Sequence, residues 1–407
     1  MTMKLLLSGL FIIWCSSLAA HQHVMDPPDQ AKLKICQAQD VTCAKTVTIA
    51  THPNGDIWRV WANNNQMYYA ISHDLGKHFS RAIKIKAINE KISARGENRP
   101  KIAFSSTGHV YLSWSKPGNK KYTGDIRFSY SQNGGKSFAK PITVNNDNLI
   151  TGHSFNEMIV TQDQKLVLIW LDGRDKYKAK KAGQQFNGSS IYLAQANFEN
   201  DLRVTFSNIK LAQGTCVCCR LTLVETVKNQ VSIMYRDIFG DNIRDFTLMN
   251  YDLSSNEVIS RHRVTQDEWF INGCPHQGAG ISKTDGRLHL TWFNQGSKGK
   301  GIFYGYTDTL GKKISKPIPV GELSKQAVHP NIISNNKQVD IVWLEFNGVK
   351  HELWHKQSLD NGHSFQAPNL LTTSSTGADR PFLFKSKNGS NHVSWHKPKT
   401  AHWTTKL

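Results

Sequence analysis

The sequence predicts an all-β protein made of repeated, four-stranded antiparallel units, and three observations support this prediction. First, apolar and polar residues alternate in short runs with the period of half-buried strands, and almost no stretch has a long 3.6-residue period. Second, Gly and Asn mark the turns between these runs. Third, one turn sequence returns at the same point of the repeated unit.

The repeated turn occurs in three clear copies, Ser72–Phe79, Ser131–Phe138 and Ser358–Phe365. In each copy an Asp or Asn side chain can accept backbone N–H bonds across the turn, Gly supplies the positive φ, and the final Phe covers the core. Two weaker copies, Asn250–Ser254 and Thr307–Gly311, fall at the same phase. Repetition in phase indicates a repeat architecture.

Seven units follow one another at intervals of roughly fifty to sixty residues, as the four-stranded blades of a β-propeller require. Seven blades are therefore favoured, with six as the alternative. The large residues that end the second strands, mostly Trp, are expected to pack the blades. The predicted entry strands begin near Thr46, Arg99, Asn156, Arg220, Gly278, His329 and Arg380. The predicted second strands are Ile57–Ala62, His109–Trp114, Lys165–Trp170, Gln230–Tyr235, Leu288–Trp292, Gln338–Trp343 and Asn391–Trp395.

The last unit ends after its third strand. Its fourth strand is expected from the start of the mature chain, at Lys32–Cys36, because pairing of the two termini would remove an exposed sheet edge. The sequence thus predicts one propeller domain over residues 32–407, preceded by a mobile segment over residues 21–31.

Residues 1–20 have the pattern of a secretory signal peptide, in which Lys4 precedes the apolar run Leu5–Trp14 and small residues follow. The run is too short to span a membrane, and no later stretch approaches ~20 apolar residues. We therefore expect a secreted or periplasmic monomer without a transmembrane segment. A lipoprotein attached at Cys15 is the alternative, although Trp14 fits that pattern poorly.

The charge balance favours anionic partners, since 50 Lys and Arg residues stand against 31 Asp and Glu residues. Scattered Lys would also keep a β protein soluble and protect its sheet edges. No block of basic residues accompanies a nucleic-acid-binding motif, which argues against nucleic acid as a partner. An anionic glycan or another small acidic ligand remains the expected partner.

Four cysteines lie in two short segments, Gly214–Arg220 and Gly273–His276, each directly before an entry strand. A propeller would bring both segments to one rim beside the central channel. Three sulfurs within four residues cannot all pair among themselves without strain, and Cys and His suit Cu(I) or Zn. The candidate metal ligands are Cys216, Cys218, Cys219, Cys274, His276 and His153.

Other states of these cysteines remain open. Cys218 or Cys219 could form a disulfide with Cys274 and tie two blades together, or the thiols could stay unpaired. Cys36 and Cys43 form a separate plausible pair near the point where the ring would close.

Charged residues recur just before the entry strands and just after the second strands. These positions converge on the funnel at one end of a propeller's channel, where arginines would bind a carboxylate, sulfate or phosphate through bidentate hydrogen bonds. The alternative is Arg–Asp pairing between blades, which we expect for Asp172 with Arg174. The candidate ligand-binding residues are Arg99, Arg220, Arg236, Arg244, Arg380 and His329.

The repeated turn resembles the Asp box of the sialidase-like β-propellers, and the resemblance covers nearly the whole mature chain. Sialidases of this kind hold a carboxylate with three Arg, use a Tyr activated by a Glu as nucleophile, and use an Asp as acid/base. The resemblance implies Tyr235, Glu157 and Asp237 as candidate catalytic residues, although none lies in a motif that fixes its role.

The sequence also departs from the sialidase pattern. Arg99 is followed by Pro100 and Lys101, which does not match the family's first arginine motif, and the two cysteine segments are foreign to it. They resemble instead a bacterial exported group that has no assigned chemistry. We therefore expect a propeller that binds an acidic glycan, with exo-sialidase-type hydrolysis as its possible reaction. A Cu, Zn or thiol-redox protein and a non-catalytic binding propeller are the alternatives.

Overall fold

The computed structural model describes residues 39–63, 65–199, 203–297 and 299–407. These residues form seven antiparallel sheets, which are the blades of a β-propeller, and one short helix. The predicted fold class and the count of seven blades are confirmed, and the six-bladed alternative is wrong. No helix in the described ranges has the length and apolar character needed to cross a bilayer.

The strands are numbered β1 to β27 in chain order. Blades 1 and 2 contain β1 (Val47–Thr51), β2 (Ile57–Asn63), β3 (Gln66–Ser72), β4 (Ile83–Asn89), β5 (Lys101–Phe104), β6 (Val110–Pro117), β7 (Gly124–Ser131) and β8 (Ile142–Thr143). Blades 3 and 4 contain β9 (His153–Val160), β10 (Leu166–Asp172), β11 (Ser189–Glu199), β12 (Arg203–Thr215), β13 (Thr222–Val227), β14 (Gln230–Arg236), β15 (Phe246–Asp252) and β16 (Glu257–Arg263). Blades 5 and 6 contain β17 (Gly280–Thr284), β18 (Arg287–Gly296), β19 (Gly299–Thr307), β20 (Ile318–Glu322), β21 (Val328–Asn335), β22 (Gln338–Phe346), β23 (His351–Ser358) and β24 (Asn369–Ser374). Blade 7 contains β25 (Phe382–Lys385), β26 (Asn391–Lys397) and β27 (Ala401–Lys406). Helix α1 (Arg174–Lys181) lies between β10 and β11, and two 3-10 turns cover Val41–Cys43 and Leu323–Lys325.

The first strands of neighbouring blades contact each other around the axis, and β25 of blade 7 contacts β1 of blade 1, which closes the ring. Because each blade is an antiparallel meander, the loops that lead from one blade to the next all lie on one face. We call this the upper face. The Asp-box turns lie on the opposite, lower face.

Blade 7 has three strands within the described ranges, whereas the other six blades have four. The predicted closing strand at Lys32–Cys36 lies outside the described residues, as do the predicted signal peptide and the segment over residues 21–31.

The second strands carry a large aromatic residue at one common register. Tyr235 occupies this register in blade 4 and is completely buried. Five of the six indole N–H groups at this register donate to an acceptor, as in Trp170 Nε1 to Asp172 Oδ2 at 2.7 Å. The exception is Trp61, whose Nε1 is buried without a hydrogen-bond partner among the described residues. The expectation that these residues pack the blades is confirmed. In the other blades the residue is a buried Trp, namely Trp61, Trp114, Trp170, Trp292, Trp343 and Trp395.

The Asp-box turns have the hydrogen bonds that the sequence predicts. In the first copy the Ser72 hydroxyl accepts the N–H of Gly76 at 2.9 Å, and Asp74 Oδ1 accepts the N–H of His78 at 2.8 Å. Gly76 has a φ of 88°, and a Cβ there would lie 2.7 Å from Thr404 Oγ1 of blade 7. Glycine is required both for this φ and for the close approach to the preceding blade.

The other copies differ in strength. The glycines of the copies at residues 131–138 and 358–365 also lie against the preceding blade, at Trp58 and Tyr304. The weaker copy at Thr307 has the same bond pattern, since its hydroxyl accepts the N–H of Gly311 at 3.0 Å. The copy at Asn250–Ser254 is a simple hairpin turn, in which Asp252 accepts two nearby N–H groups.

A buried ion pair joins three blades at the point where the ring closes. Asp379, just before β25, accepts bonds from Arg99 Nη1 at 2.8 Å and Nη2 at 2.5 Å. Its Oδ2 also accepts the N–H of Val47 in β1 at 3.1 Å. The side chains of Arg99 and Asp379 are 3% and 2% exposed, so each charge depends on the other.

Replacing Asp379 by Asn should destabilise the protein strongly, because it leaves the Arg99 guanidinium buried without its counter-ion. We expect a loss of about 3–5 kcal/mol in the free energy of unfolding, measured from urea denaturation. Asp308→Asn is the matched control, since Asp308 pairs with Arg287 on the lower face and is half exposed. That control should cost less than about 1 kcal/mol, and equal effects of the two changes would contradict the role of Asp379.

The thermal stability should fall as the pH decreases from about 7.5 to 5. Burial lowers the pKa of His289 to about 4 and that of His329 to about 3, and it also lowers the pKa of His392, His396 and His402. These groups stay neutral in the folded state, whereas unfolded histidines bind protons near pH 6.5. As the pH falls, the unfolded state therefore binds protons before the folded state does, and unfolding becomes more favourable. Only His153, whose pKa is raised, opposes this trend among the histidines with a resolved shift.

Differential scanning calorimetry across this pH range gives the measurement. His289→Gln should flatten the pH dependence of Tm relative to the unchanged protein, because it removes one group that must stay neutral when folded. A Tm that rises on acidification would show that the buried histidines do not control this dependence.

Candidate functional site

Four ionisable side chains from separate upper-face segments meet at the mouth of the channel. They are Glu97, before β5; Arg220, before β13; His329, in β21; and Arg380, before β25. We call them the rim cluster. Arg220 Nε and Arg380 Nε lie 3.8 and 4.0 Å from the same oxygen, Glu97 Oε1. Arg380 Nε donates to His329 Nδ1 at 3.2 Å.

Two glycines make room for the rim cluster. Gly96 has a φ of 55°, and a Cβ at this position would lie 1.9 Å from Arg380 Nη1. A Cβ on Gly278 would lie 2.6 Å from the Cβ of Arg220 and 3.1 Å from Glu97 Oε2. The two guanidinium groups can therefore approach the backbone only because these positions lack a side chain.

The electrostatics of the rim cluster favour an ionised carboxylate beside a neutral imidazole. Burial raises the pKa of Glu97, but Arg220 and Arg380 outweigh it and hold the pKa below its usual value. Burial, assisted by Arg380, lowers the pKa of His329 to about 3. At neutral pH two guanidinium groups thus face one carboxylate, and the cluster carries one net positive charge.

Within the described ranges, only some of the N–H groups of Arg220 and Arg380 have a hydrogen-bond acceptor. Arg220 Nη2 donates to the carbonyl oxygen of Ala279 at 2.6 Å, and its Nε is buried without a hydrogen-bond partner there. Since His329 Nδ1 accepts from Arg380, its proton lies on Nε2, which is a further donor. The mouth of the channel thus offers several N–H groups to an anion.

The other predicted ligand-binding residues lie outside the rim cluster. Arg99 is committed to Asp379, as described above. Arg236 is buried and donates to the carbonyl oxygens of Arg244, Gln277 and Phe293. Arg244 Nε donates to Asn242 Oδ1 at 2.9 Å. Among the six candidates, the structure brings together Arg220, Arg380 and His329, while Arg99, Arg236 and Arg244 join loops and blades.

The three candidate catalytic residues do not all meet, since Tyr235 and Asp237 both contact Arg261 whereas Glu157 pairs elsewhere. Glu157 forms an ion pair with Lys101. Tyr235 is buried at the position that Trp occupies in the other blades, and burial raises the pKa of its hydroxyl. Asp237 accepts a bond from Arg261 Nη2 at 2.6 Å. Within the described ranges, no hydrogen bond joins Tyr235 to Glu157, so the roles of all three remain predictions.

Sequence reasoning missed three residues that shape the mouth of the channel, namely Glu97, Gln277 and Asp379. Gln277 Oε1 accepts the N–H of His329 at 3.0 Å. Glu97 and Asp379 lie in the same loops as the predicted Arg99 and Arg380. The available signal was an acidic residue two positions before Arg99 and another directly before Arg380, whereas no comparable signal marked Gln277.

The two cysteine segments meet on the upper face, as the sequence predicts. Cys216, Cys218 and Cys219 are buried, and Cys216 Sγ lies 3.7 Å from Cys218 Sγ and 3.4 Å from Cys219 Sγ. We call these three the thiol cluster. Cys274 and His276 lie on the solvent side, within 4.8 Å of the Cys218 sulfur.

The thiol cluster contains neither a disulfide nor the predicted ligand His153. The three buried cysteines and Cys274 form no disulfide, so the expected bridge between Cys218 or Cys219 and Cys274 is absent. Cys36 of the other expected pair lies outside the described residues. The structure places His153 beside Asp147, at 3.1 Å, and Asp172, at 3.5 Å, so it does not join the thiol cluster. Arg174 Nη2 lies 2.8 Å from Asp172 Oδ2, so these two residues form the expected ion pair.

No protein-family model matches the sequence, and no curated protein matches it either. Among solved structures, an ulvan lyase of polysaccharide lyase family PL25, bound to -[GlcA(1-4)Rha3S]-, has a TM-score of 0.53 at 11% identity over 88% of this chain and 90% of that chain. The polysaccharide lyase Uly1 has a TM-score of 0.52 at 11% identity over 89% of each chain. The NanB sialidase from Streptococcus pneumoniae has a TM-score of 0.46 at 10% identity over 83% of this chain and 69% of that chain. The two lyases share the β-propeller fold, and at these identities the likeness concerns the fold alone.

Proposed function

We propose that the rim cluster binds an acidic glycan outside the cytoplasm and that Arg220 and Arg380 receive an anionic group of the sugar. The observation that carries this proposal is the convergence of two guanidinium groups on one carboxylate, with one positive charge left over. An anionic ligand would balance that charge, and a carboxylate matches the planar fork of arginine.

Glu97 positions the two arginines without using up their donors. Its closest contacts to them, 3.8 and 4.0 Å, are longer than hydrogen bonds. The carboxylate therefore holds the guanidinium groups by charge, and the N–H groups that do not donate to Ala279, Pro330 or His329 remain for ligand oxygens. The neutral His329 adds the Nε2–H donor, which does not repel the arginines as a charged imidazolium would.

The rim cluster is also reachable from solvent. The side chains of Arg220 and Arg380 are 13% and 23% exposed, whereas Arg99 behind them is 3% exposed. This gradient separates the arginines that can meet a ligand from the arginine that supports the ring. The ulvan lyase of the same fold is bound to an acidic saccharide, and a uronate is therefore a suitable first probe.

We propose recognition of the glycan rather than hydrolysis of sialosides. The proposed nucleophile, Tyr235, is completely buried in blade 4, and the proposed activating carboxylate, Glu157, is paired with Lys101. A nucleophile must lie within reach of the reacting carbon, and the blade interior gives no such access. The glycosidase hypothesis therefore requires residues other than this pair.

Arg220→Ala and Arg380→Ala should each weaken the binding of glucuronate oligosaccharides about 10- to 100-fold, because each change removes charged hydrogen-bond donors. Isothermal titration calorimetry measures the affinity. Arg81→Ala is the matched control, since Arg81 is exposed on the lower face, and it should leave the affinity unchanged.

Neutral and sulfated saccharides of the same length separate the possible origins of the binding. A neutral saccharide that binds as tightly as the uronate would overturn the proposal, because the rim cluster recognises charge. If the protein prefers the sulfated saccharide and both arginine variants lose this preference, the rim cluster is still the binding site. The group that it recognises is then a sulfate.

The purified protein should not release the fluorophore from a fluorogenic sialoside, and Tyr235→Phe should leave uronate binding unchanged. Both results follow from the burial of Tyr235. Hydrolysis by the unchanged protein that disappears in Tyr235→Phe would support the glycosidase hypothesis and contradict recognition alone.

A further inference from the structure

The clustered cysteines and His276 form two overlapping sets of three metal-ligand atoms that share Cys218. The inner set is the thiol cluster, whose three residues are all buried. The outer set is Cys218 with the exposed Cys274 and His276. Within each set, the ligand atoms lie within 4.8 Å of one another. Four of the five cysteines in the described part of the chain are thus gathered at one place.

The sulfur separations in the thiol cluster suit a shared metal ion better than disulfides. A disulfide requires sulfurs about 2.05 Å apart. Three sulfurs at ~2.3 Å from one centre lie about 3.8–4.0 Å from one another. The observed separations from Cys216, 3.4 and 3.7 Å, are close to the second arrangement.

A backbone hydrogen bond and an aromatic side chain hold the thiol cluster in place. The Cys216 N–H donates to the carbonyl oxygen of Arg236 at 3.0 Å, and Arg236 itself is fixed by three carbonyl oxygens. Phe155 of blade 3 packs against the three cysteines. The positive charge of Arg236 also lies close to Cys216 and Cys219, where it would offset thiolate charge.

The ligand set selects a soft cation with a low coordination number. The inner set supplies three sulfurs and no oxygen, and thiolates favour Cu(I) over hard cations. Structural Zn sites almost always use four ligands. No fourth Cys, His, Asp or Glu atom of the described residues lies within 4.8 Å of all three inner sulfurs. Three-coordinate Cu(I) is therefore the better fit.

We propose that the thiol cluster binds one Cu(I) ion and that Cys274 and His276 form the entry site that passes the ion inward through Cys218. In the transfer, Cu(I) keeps its bond to the Cys218 sulfur, loses its bonds to Cys274 and His276, and gains bonds to Cys216 and Cys219. The thiol protons of Cys216 and Cys219 leave to solvent as these bonds form, and the released Cys274 thiolate takes up a proton from solvent. Cys218 has already lost its proton when the ion binds the outer set. The copper stays Cu(I) throughout, so the transfer needs no oxidant or reductant.

This proposal is independent of glycan recognition, because none of its ligands belongs to the rim cluster. It assigns different roles to the two sets of ligands. The buried set retains the ion, and the exposed set controls how fast the ion enters. Variants of the two sets should therefore change different measured quantities.

The test titrates the anaerobic, reduced full chain with Cu(I) in competition with the chromophoric chelator bicinchoninate. The unchanged protein should take up one Cu(I) per chain. Cys216→Ser and Cys219→Ser should weaken retention on the order of 100-fold or more, since each removes a direct ligand. Val217→Ser, in the same loop but without a metal-binding atom, is the matched control and should behave like the unchanged protein.

The outer set is tested by stopped-flow transfer of Cu(I) from the chelator. Cys274→Ser and His276→Ala should slow uptake several-fold and leave the final stoichiometry and affinity unchanged. His363→Ala, an exposed histidine on the lower face, should not affect the rate. Equal loss of affinity in Cys274→Ser and Cys216→Ser would overturn the relay, because it would indicate one joint site.

X-ray absorption spectroscopy of the copper-loaded, unchanged protein measures the copper ligands directly, so it tests the proposal even if a cysteine variant fails to fold. Three sulfur ligands at about 2.3 Å would support the inner site. A nitrogen ligand or a fourth sulfur in the coordination sphere would overturn it, and so would failure of the unchanged protein to compete with the chelator. Tighter retention of Zn(II), dependent on Cys274, would also reject Cu(I) as the intended ion.

Discussion

The geometry of the channel mouth depends on the buried ion pair between Arg99 and Asp379. This pair ties the loops before β5 and β25 to β1, so that blades 1, 2 and 7 are fixed to one another where the ring closes. Glu97 lies two residues before Arg99, and Arg380 directly follows Asp379. One electrostatic contact therefore supports the ring and sets the positions of two members of the rim cluster. A buried charge pair is costly to break, which makes these positions well defined.

The two faces of the propeller differ because the antiparallel meander places the blade-to-blade loops on the upper face and the Asp-box turns on the lower face. The lower face carries the Asp-box turns, whose Ser and Asp side chains bond within the turn and whose glycines pack against neighbouring blades. The upper face carries the blade-to-blade loops, which bring unrelated chemical groups together. Arg220 follows Cys219 directly, so one loop contributes to both the rim cluster and the thiol cluster. The two sites are thus adjacent along the chain and chemically distinct.

The sequence predicted the fold well because each blade repeats the same local pattern. Strand alternation, the common aromatic register and the in-phase turns are local features, and all can be read without knowing the ring. The partners of charged residues are not local. Arg99 pairs with a carboxylate 280 positions away, and spacing does not reveal that choice. Tyr235 became a catalytic candidate because of its residue type. Its position at the common aromatic register of the second strands places it in the core of the blade instead. The convergence of Cys274 with Cys218 was predictable, since equivalent loops of adjacent blades meet on one face.

The contact between Gly76 and Thr404 has a consequence for how the chain reaches its native state. The Thr404 hydroxyl donates to the carbonyl oxygen of Gly76 at 2.8 Å, although the two residues are 328 positions apart. The first sheet to be synthesised is therefore flanked by the last one. Until the ribosome has delivered the seventh sheet, the opening sheet has one uncovered side. A nascent chain must keep that side from pairing with the wrong partner until the seventh sheet closes the ring.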